Sequence, residues 1–495
     1  MAASPGKVYL IGAGPGDPGL ITVRGRDLLR AADIVFYDNL AAPDLLIEAP
    51  RARKIYVGKK RAAHAHTQDE INRMLVTEAQ AGRIVARLKG GDPYVFGRGG
   101  EEAEALAAAG VPFEVVPGVS SAVGAAAYAG IPLTHREFTP AVTFVTGHEV
   151  DRIDWTKLGV AETLVVFMGL TACGEIARCL IAAGRSPATP AAAVRWATRP
   201  CQQTIVGTLA DLADRIAAAK MKPPALLIIG EVAGLRERLD WYERLPLFGQ
   251  RIVVTRAREQ ASELSERLRR LGADPVELPA IEIRPPGDWG PLDAAIARLE
   301  TYDWLIFTSQ NGVARFVERL DRSDKDWRAL RARIAAIGPA TAQALRDLYL
   351  KVDLLPEKYV AEAVLEALGG QELTGRRILI PRAAEARDVL PRELRARGAE
   401  VDVTPAYQTT APEDLPARAH DAFADPPDWI TFTSSSTVKN LVGAVGAEKL
   451  ARSRIASIGP ITSGTARDYG LPVAVEANDY TVEGLLAALE AWPAT

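Results

Sequence analysis

The second half of the chain repeats itself, and that repeat limits its architecture before any single residue is interpreted. RIVVTRA at 251–257 is matched by RILIPRA at 377–383, and LRRLGADPVELPA at 268–280 by LRARGAEVDVTPA at 394–406. DWLIFTSQNGV (303–313) pairs with DWITFTSSSTV (428–438), RIAAIGPATA (333–342) with RIASIGPITS (454–463), and YVAEAVLEAL (359–368) with YTVEGLLAAL (480–489). Two copies of about 120 residues, each alternating apolar runs with helix formers, imply two similar α/β lobes. Each copy places Thr-Ser after an apolar strand, at Thr308-Ser309 and Thr433-Ser434-Ser435, and Gly-Pro-x-Thr after another, at 338–341 and 459–462. Hydroxyls and free N–H groups at strand and helix ends suit an anion. Helix N-capping asks for the same residues, and for one pair alone it is the better explanation. Their recurrence in both copies favours a shared cleft.

The first half has no repeat but an unusual stretch, Arg87 to Glu102 (RLKGGDPYVFGRGGEE), with five glycines, three carboxylates and three cations in sixteen residues. Glycine costs about 1 kcal/mol in a helix or strand interior, so this is a loop that something approaches closely. A short strand, Arg83 to Leu88, leads into it and a helix former, EEAEALAAA, follows. It therefore lies at the carboxyl end of a strand, where open α/β sheets bind ligands, although a solvated glycine-rich connection would read alike. Further strands are expected at Val8–Ile11, Asp33–Asn39, Lys54–Val57 and Phe113–Val116, with a helix over Leu20–Ala32. After a hinge near Gly130–Pro140, strands resume at Ala141–Val145, Leu164–Phe167, Ala191–Val194 and Pro224–Ile229, giving a second α/β lobe to about Trp241. Asp38 ends the second strand, a better place for a functional carboxylate than a helix surface.

Composition narrows the partners. With 59 Lys and Arg against 62 Asp and Glu the net charge is −3, which gives no support to nucleic-acid or charged-membrane binding. Three cysteines (Cys173, Cys179 and Cys201) lack paired spacing, so no zinc site or disulfide framework is expected and a reduced, cytoplasmic setting is. His64 and His66 form an isolated H-x-H that reads as a polar loop, and no metal is expected. The N-terminal apolar run is too short for a signal peptide or a membrane span. GAGPGDPG at 12–19 fails as a dinucleotide fingerprint because Asp17 stands at the third glycine position. Lys60 stands where a phosphate loop needs Ser or Thr.

Nine motifs in register, GAGPGDPGLIT, ADIVFYDNL, VGKK, RLKGGDPYVFGRGGEE, VPGVSSA, GIPLTHR, VTGH, VFMGL and PALLIIGEV, resemble the tetrapyrrole methylases, most closely the uroporphyrinogen-III C-methyltransferase type. The resemblance covers 1–245, as lobes of about 1–135 and 141–241, and implies S-adenosylmethionine (SAM) as methyl donor, precorrin-2 as product and a homodimer. By motif it places SAM at Pro15, Gly90, Gly91, Asp92, Val95, Ser120, Ser121, Met168 and the backbone near Ala197, where the family often has glycine. It puts Asp38, Arg98, Glu101, Arg136 and Met168 around the reacting ring, with Lys59 on the substrate. A guanidinium with a pKa above about 12 is a poor base, so Glu101 or Asp38 is the expected proton acceptor, with Arg98 and Arg136 holding carboxylates.

Past a linker at 246–250, residues 251–495 look like uroporphyrinogen-III synthase, through VTR, FTSxNGV, GAEV, the Tyr407 segment, FTSSS and IGPxT. The resemblance implies lobes of about 251–281 plus 409–495, and 284–406, with the first strand-helix unit crossing to the other copy. It implies cyclisation of hydroxymethylbilane, with Tyr407 assisting loss of the hydroxyl and Arg256, Thr308, Ser309, Arg382, Ser434, Ser435 and Thr462 on substrate carboxylates. The expected protein is bifunctional: the C-terminal half makes uroporphyrinogen III and the N-terminal half methylates it twice. A rival reading makes the C-terminal half a tetrapyrrole-binding module without turnover. Only six residues precede Lys7, so the dehydrogenase and ferrochelatase module that some such methylases carry is not expected. Whether the product feeds sirohaem or cobalamin is left open.

Overall fold

The structure is a computed structural model that describes residues 6–58, 66–356, 361–386 and 388–493. The chain forms two compact units, Met1–Gly249 with Leu271–Asp274, and Gln250–Arg270 with Pro275–Thr495.

In the first unit, strands β1 (Lys7–Gly12), β2 (Ile34–Tyr37), β3 (Arg53–Tyr56), β4 (Ile84–Lys89) and β5 (Phe113–Val116) form an all-parallel sheet in the order β3-β2-β4-β1-β5. Both faces are covered, so the strands are apolar throughout. Val8, Leu10, Phe36 and Val85 pack with Leu75 and Leu106, while Ile11, Val35, Ala86 and Leu88 pack with Leu29 and Leu45 on the opposite side. The helix expected from Leu20 begins at Val23 instead, because the Thr22 hydroxyl accepts the Gly25 N–H and caps it there.

The second sheet holds β6 (Val142–Thr146), β7 (Thr163–Phe167), β8 (Pro190–Arg195), β9 (Gln203–Thr208) and β10 (Ala225–Ile229), ordered β6-β7-β10-β8-β9. Only β6 and β7 run parallel; the other neighbours are antiparallel. The helix Ser121–Ala129, which follows the last strand of the first sheet, packs Ala122, Ala125 and Ala129 onto Val165, Phe167, Ala192 and Val194. That helix joins the lobes, and its run of alanines lets it lie close.

The second unit contains β11 (Arg251–Val254), β12 (Asp274–Glu277), β13 (Glu282–Arg284), β14 (Trp304–Phe307), β15 (Arg333–Ala336), β16 (Arg377–Ala383), β17 (Glu400–Thr410), β18 (Trp429–Phe432), β19 (Arg454–Ser457) and β20 (Val473–Glu476). They form two sheets, β12-β11-β18-β19-β20 and β13-β17-β16-β14-β15. The first strand of the first copy, β11, pairs in parallel with β18 of the second, so the copies exchange their opening strands. The long β17 runs parallel to β16 along its first part and antiparallel to β13 along its last, within one mixed sheet. Among the described residues no helix is long and apolar enough to cross a membrane.

Candidate active sites

In the first unit three loops meet at the carboxyl ends of β1, β4 and β5. Gly14 and Gly91 exchange backbone hydrogen bonds, N–H to O=C, at 3.2 and 2.7 Å, and Ala13 N–H bonds Lys89 O at 2.7 Å. A Cβ on Gly118 would lie 2.4 Å from Gly91 O and 2.7 Å from Gly12 Cα, so only glycine fits at this crossing. Asp92 ties the junction: one carboxylate oxygen accepts Gly118 N–H at 3.0 Å and the other Tyr94 N–H at 2.8 Å. Its side chain is therefore a brace. Gly90 differs from its neighbour. A Cβ there would meet Leu40 Cβ at 2.5 Å, so packing against the protein rather than ligand approach demands it, whereas Gly91 is left-handed at φ 68°.

Strain gathers around the same junction. Seven non-glycine residues with positive φ are found among the described residues, and five of them are Phe96 (53°), Arg98 (58°), Met168 (55°), Trp196 (47°) and Thr198 (69°). Such residues persist where surrounding structure over-determines them, and they cluster at ligand sites. Phe96 stacks on Phe167 at 4.6 Å between ring centroids, and Val95 packs against the second sheet's core, so the loop after β4 reaches across to the end of β7. Tyr94, Phe96 and Met168 remain 56, 42 and 54% exposed, an apolar rim suited to a flat group. Pro15 lies where a Cβ on Gly124 would strike it, at 2.5 Å. Ala197 is buried between two left-handed residues, so the segment takes glycine-like conformations on either side of it. Ser120 caps the helix Ser121–Ala129, accepting Ala122 N–H at 3.4 Å.

The charges sort into two groups. Arg98 grips both oxygens of Glu101, at 2.8 and 2.6 Å, and that hydrogen-bonded guanidinium holds the Glu101 carboxyl below its ordinary value. Deeper lies a cluster that the sequence reading leaves unassigned. Glu102 is 0% exposed, and its Oε1 accepts from Lys89 Nζ (2.8 Å), Arg87 Nε (3.1 Å) and Gln68 Nε2 (3.2 Å). Arg87 Nη2 then reaches Asp38 Oδ2 at 3.1 Å, while Asp38 Oδ1 accepts Leu40 N–H at 3.0 Å. Burial lowers the Lys89 ammonium's pKa, reinforced by Arg87 alongside. The signal was available: β4 is buried on both faces, and cations there require partners. Arg136 is exposed in a turn closed by paired hydrogen bonds, both 2.9 Å, between His135 and Thr139. Lys59 lies outside the described residues.

In the second unit the assigned side chains fall on two sheets. At the ends of β14, β16 and β17 the hydroxyls of Ser309 and Tyr407 lie 3.0 Å apart, and Ser309 caps its helix by accepting Gly312 N–H at 3.1 Å. A register shift at Arg382/Ala383 brings Tyr407 opposite Ala383. Such an irregularity re-aims a side chain. Tyr407 is 8% exposed, and burial pushes its phenol up. Thr308 sits beside Ser309 at the same strand end, and the buried Arg382 pairs with Asp388. On the other sheet, Ser434 caps its helix at 3.3 Å from Thr437 N, Ser435 and Thr465 hydroxyls are 2.7 Å apart, and Thr462 is 5% exposed. Arg256 follows β11, its guanidinium pKa lowered by burial.

Comparison with known proteins assigns both units. Residues 7–213 match the family described as Tetrapyrrole (Corrin/Porphyrin) Methylases, and residues 262–487 match Uroporphyrinogen-III synthase HemD. The porphyrin biosynthesis protein HemD of Ruminiclostridium josui is 38% identical over 98% of this chain and 97% of its own length. The chain belongs to this family. It is a bifunctional tetrapyrrole enzyme, with a methylase half and a synthase half. The siroheme synthase of Chromobacterium violaceum is 53% identical over 48% of this chain, and the match spans 52% of that protein's length. A uroporphyrin-III C-methyltransferase from Thermus thermophilus, crystallised with S-adenosyl homocysteine, is 43% identical over 46% of this chain and all of its own, with a TM-score of 0.42. Within the synthase half, alignment of the repeats sets Ile281 opposite Tyr407, so the duplicated lobes have diverged at the residue assigned to chemistry.

Proposed function

We propose that the synthase half cyclises hydroxymethylbilane to uroporphyrinogen III and that the methylase half converts this to precorrin-2 in two methyl transfers. The observation that carries the methylase assignment is the glycine junction of β1, β4 and β5, ringed by left-handed residues and an apolar rim. These features fit SAM: Gly91, Ser121, Met168 and the 196–198 backbone present main-chain groups, while Pro15, Val95 and Phe96 offer apolar surface. SAM, when bound, supplies an electrophilic methyl group. The chain's part is to hold the tetrapyrrole carbon in line with it and to receive the proton lost afterwards, and orientation alone is worth up to about 7–11 kcal/mol. Asp38 is taken as the acceptor: Arg87 and the Leu40 N–H each hold one of its oxygens and leave a lone pair on both, whereas the bidentate Arg98 guanidinium lowers the pKa of Glu101. Arg98 and Arg136 serve the substrate's carboxylates.

In the synthase half, the buried neutral phenol of Tyr407, beside Ser309, assists departure of the hydroxyl, and Arg256, Arg382, Ser434, Ser435 and Thr462 hold carboxylates. The methylase half pairs as a homodimer through the apolar groove of Val123, Ala127, Ile131, Leu239 and Trp241, where Val123, Leu239 and Trp241 are 45–49% exposed. A monomeric sedimentation profile of the intact chain would remove this part. Three free thiols accord with a cytoplasmic setting, which cell fractionation tests.

One reaction tests both halves. Hydroxymethylbilane without SAM should give the type III isomer, and with SAM a dimethylated product of the expected mass. The type I isomer alone would make the synthase half a binding module.

A further inference from the structure

The buried ions beneath the methylase cleft have a geometry that ion pairing alone does not account for. Glu102 directs a single oxygen, Oε1, at three donors: Lys89 Nζ, Arg87 Nε and Gln68 Nε2. Its other oxygen, Oε2, is buried and has no hydrogen-bond partner among the described residues. A carboxylate free to satisfy itself would share its donors between both oxygens, since each accepts two. Here it is held so that Arg87 presents Nε inward and Nη2 outward to Asp38 Oδ2, at 3.1 Å. A third contact, Arg87 Nη1 to Leu88 O at 2.9 Å, fixes the plane of the guanidinium. The fork is thus clamped at three nitrogens, and only a planar guanidinium could bridge a wholly buried carboxylate to one at the strand end. Exposure follows the same gradient, with side chains 0% exposed at Glu102, 5% at Arg87 and 24% at Asp38.

We infer that Glu102 is a positioning residue for methyl transfer: through Arg87 it fixes the direction of the Asp38 carboxylate that receives the proton. The inference rests on the methylase reading above and on Asp38 as acceptor. Lys89 balances the charge of the cluster, in which two cations face two carboxylates. Glu102 touches no ligand itself. Its influence runs through β4, whose Phe36↔Arg87 register with β2 puts Asp38, two residues past Phe36, on the same face as Arg87.

Glu102→Gln keeps the size and one acceptor oxygen but removes the charge that orders the fork. It should lower kcat for methyl transfer about tenfold or more, with the Kd for SAM, measured by calorimetry, changed less than about twofold. In an Asp38→Asn background, assayed in single turnovers, the same substitution should add no further loss, because both act on one group. A merely structural role would weaken SAM binding along with kcat and add to the Asp38→Asn loss. Either that additivity or an unchanged kcat would overturn the inference. If Glu102→Gln does not fold, Arg87→Lys carries the same test, since lysine keeps the cation but cannot bridge the two carboxylates; the same kcat loss and non-additivity are expected. A wild-type chain that transfers no methyl group would instead overturn the methylase reading beneath it.

Discussion

In the methylase half, three loops press so closely at the strand ends that a single Cβ on Gly118 would overlap backbone, and a cluster of four ions, three of them buried, lies beneath. In the synthase half the strand ends carry serine and threonine caps, a buried phenol and arginines, and the helix glycine beside Ser309 is less tightly enclosed than Gly118. A Cβ on Gly312, beside Ser309, would come no nearer than 3.1 Å to Pro381 O. The two sites share an address, the carboxyl ends of parallel strands, but differ in what they demand. A methyl transfer needs donor and carbon aligned closely, which rigid backbone supplies. A cyclisation that leaves the carboxylate-rich chain to fold on itself needs hydrogen-bond donors and a proton source, which side chains supply.

The sharpest way to break this contrast is to add one methyl group to each site. Gly118→Ala should abolish measurable SAM binding by calorimetry and cost the methylase half about 3 kcal/mol or more, because backbone must move. Gly312→Ala should change stability by less than about 1 kcal/mol and leave cyclisation within a few-fold of wild type. Equal tolerance of both would show that the glycine junction is not the methylase half's rigid element.

The same contrast explains how far the sequence alone reaches. The repeat at 251–489 and the strand-loop-helix alternation before it predict α/β lobes, because apolar runs and glycine-bearing strand ends are local signals. β9 is missed because all six of its residues are half-buried, which leaves no alternation to read. The exchange of β11 onto the second copy's sheet comes from the resemblance alone, since strand pairing leaves no mark in residue order. At the site, glycine identifies the loop but not the reason for each glycine: Gly90 answers to Leu40, Gly118 to Gly91 and Gly12. The sequence assigns a role to Glu101 and none to its neighbour Glu102. One helical step buries it entirely while Glu101 stays half exposed, and its partners Arg87 and Lys89 come from a strand fifteen and thirteen residues earlier.

A smaller effect, confined to the other half, should follow Tyr407→Phe. The phenol is buried against a single hydroxyl, so its removal costs about 1 kcal/mol of stability. The cyclase rate should fall about a hundredfold if the phenol donates a proton to the departing hydroxyl. Methyl transfer to supplied uroporphyrinogen III should be unchanged. Retention of full cyclase rate would take the tyrosine out of the chemistry and leave the synthase half resting on its caps and arginines.

The smallest effect is electrostatic, and its sign differs between the halves. Arg98 holds Glu101 charged, so its carboxyl pKa is lowered; the pair's contribution is complete above the ordinary carboxylate value of about 4.3 and is lost as pH falls through the depressed one. Burial holds Tyr407 neutral, so its pKa is raised; that contribution is complete below about 10 and is lost as pH rises through the raised value. Between those limits neither group changes charge, and neither should bend a pH–rate profile. Carbon NMR of the Glu101 carboxyl should show its titration moving up toward the ordinary value in Arg98→Gln, with little change in stability because both side chains are half exposed and screened. If the carboxyl titrates at its ordinary value in the wild type, the pair is open in solution. Glu101 then regains its basicity and competes with Asp38 for the proton, and the effect of Glu102→Gln on kcat becomes the measurement that separates them.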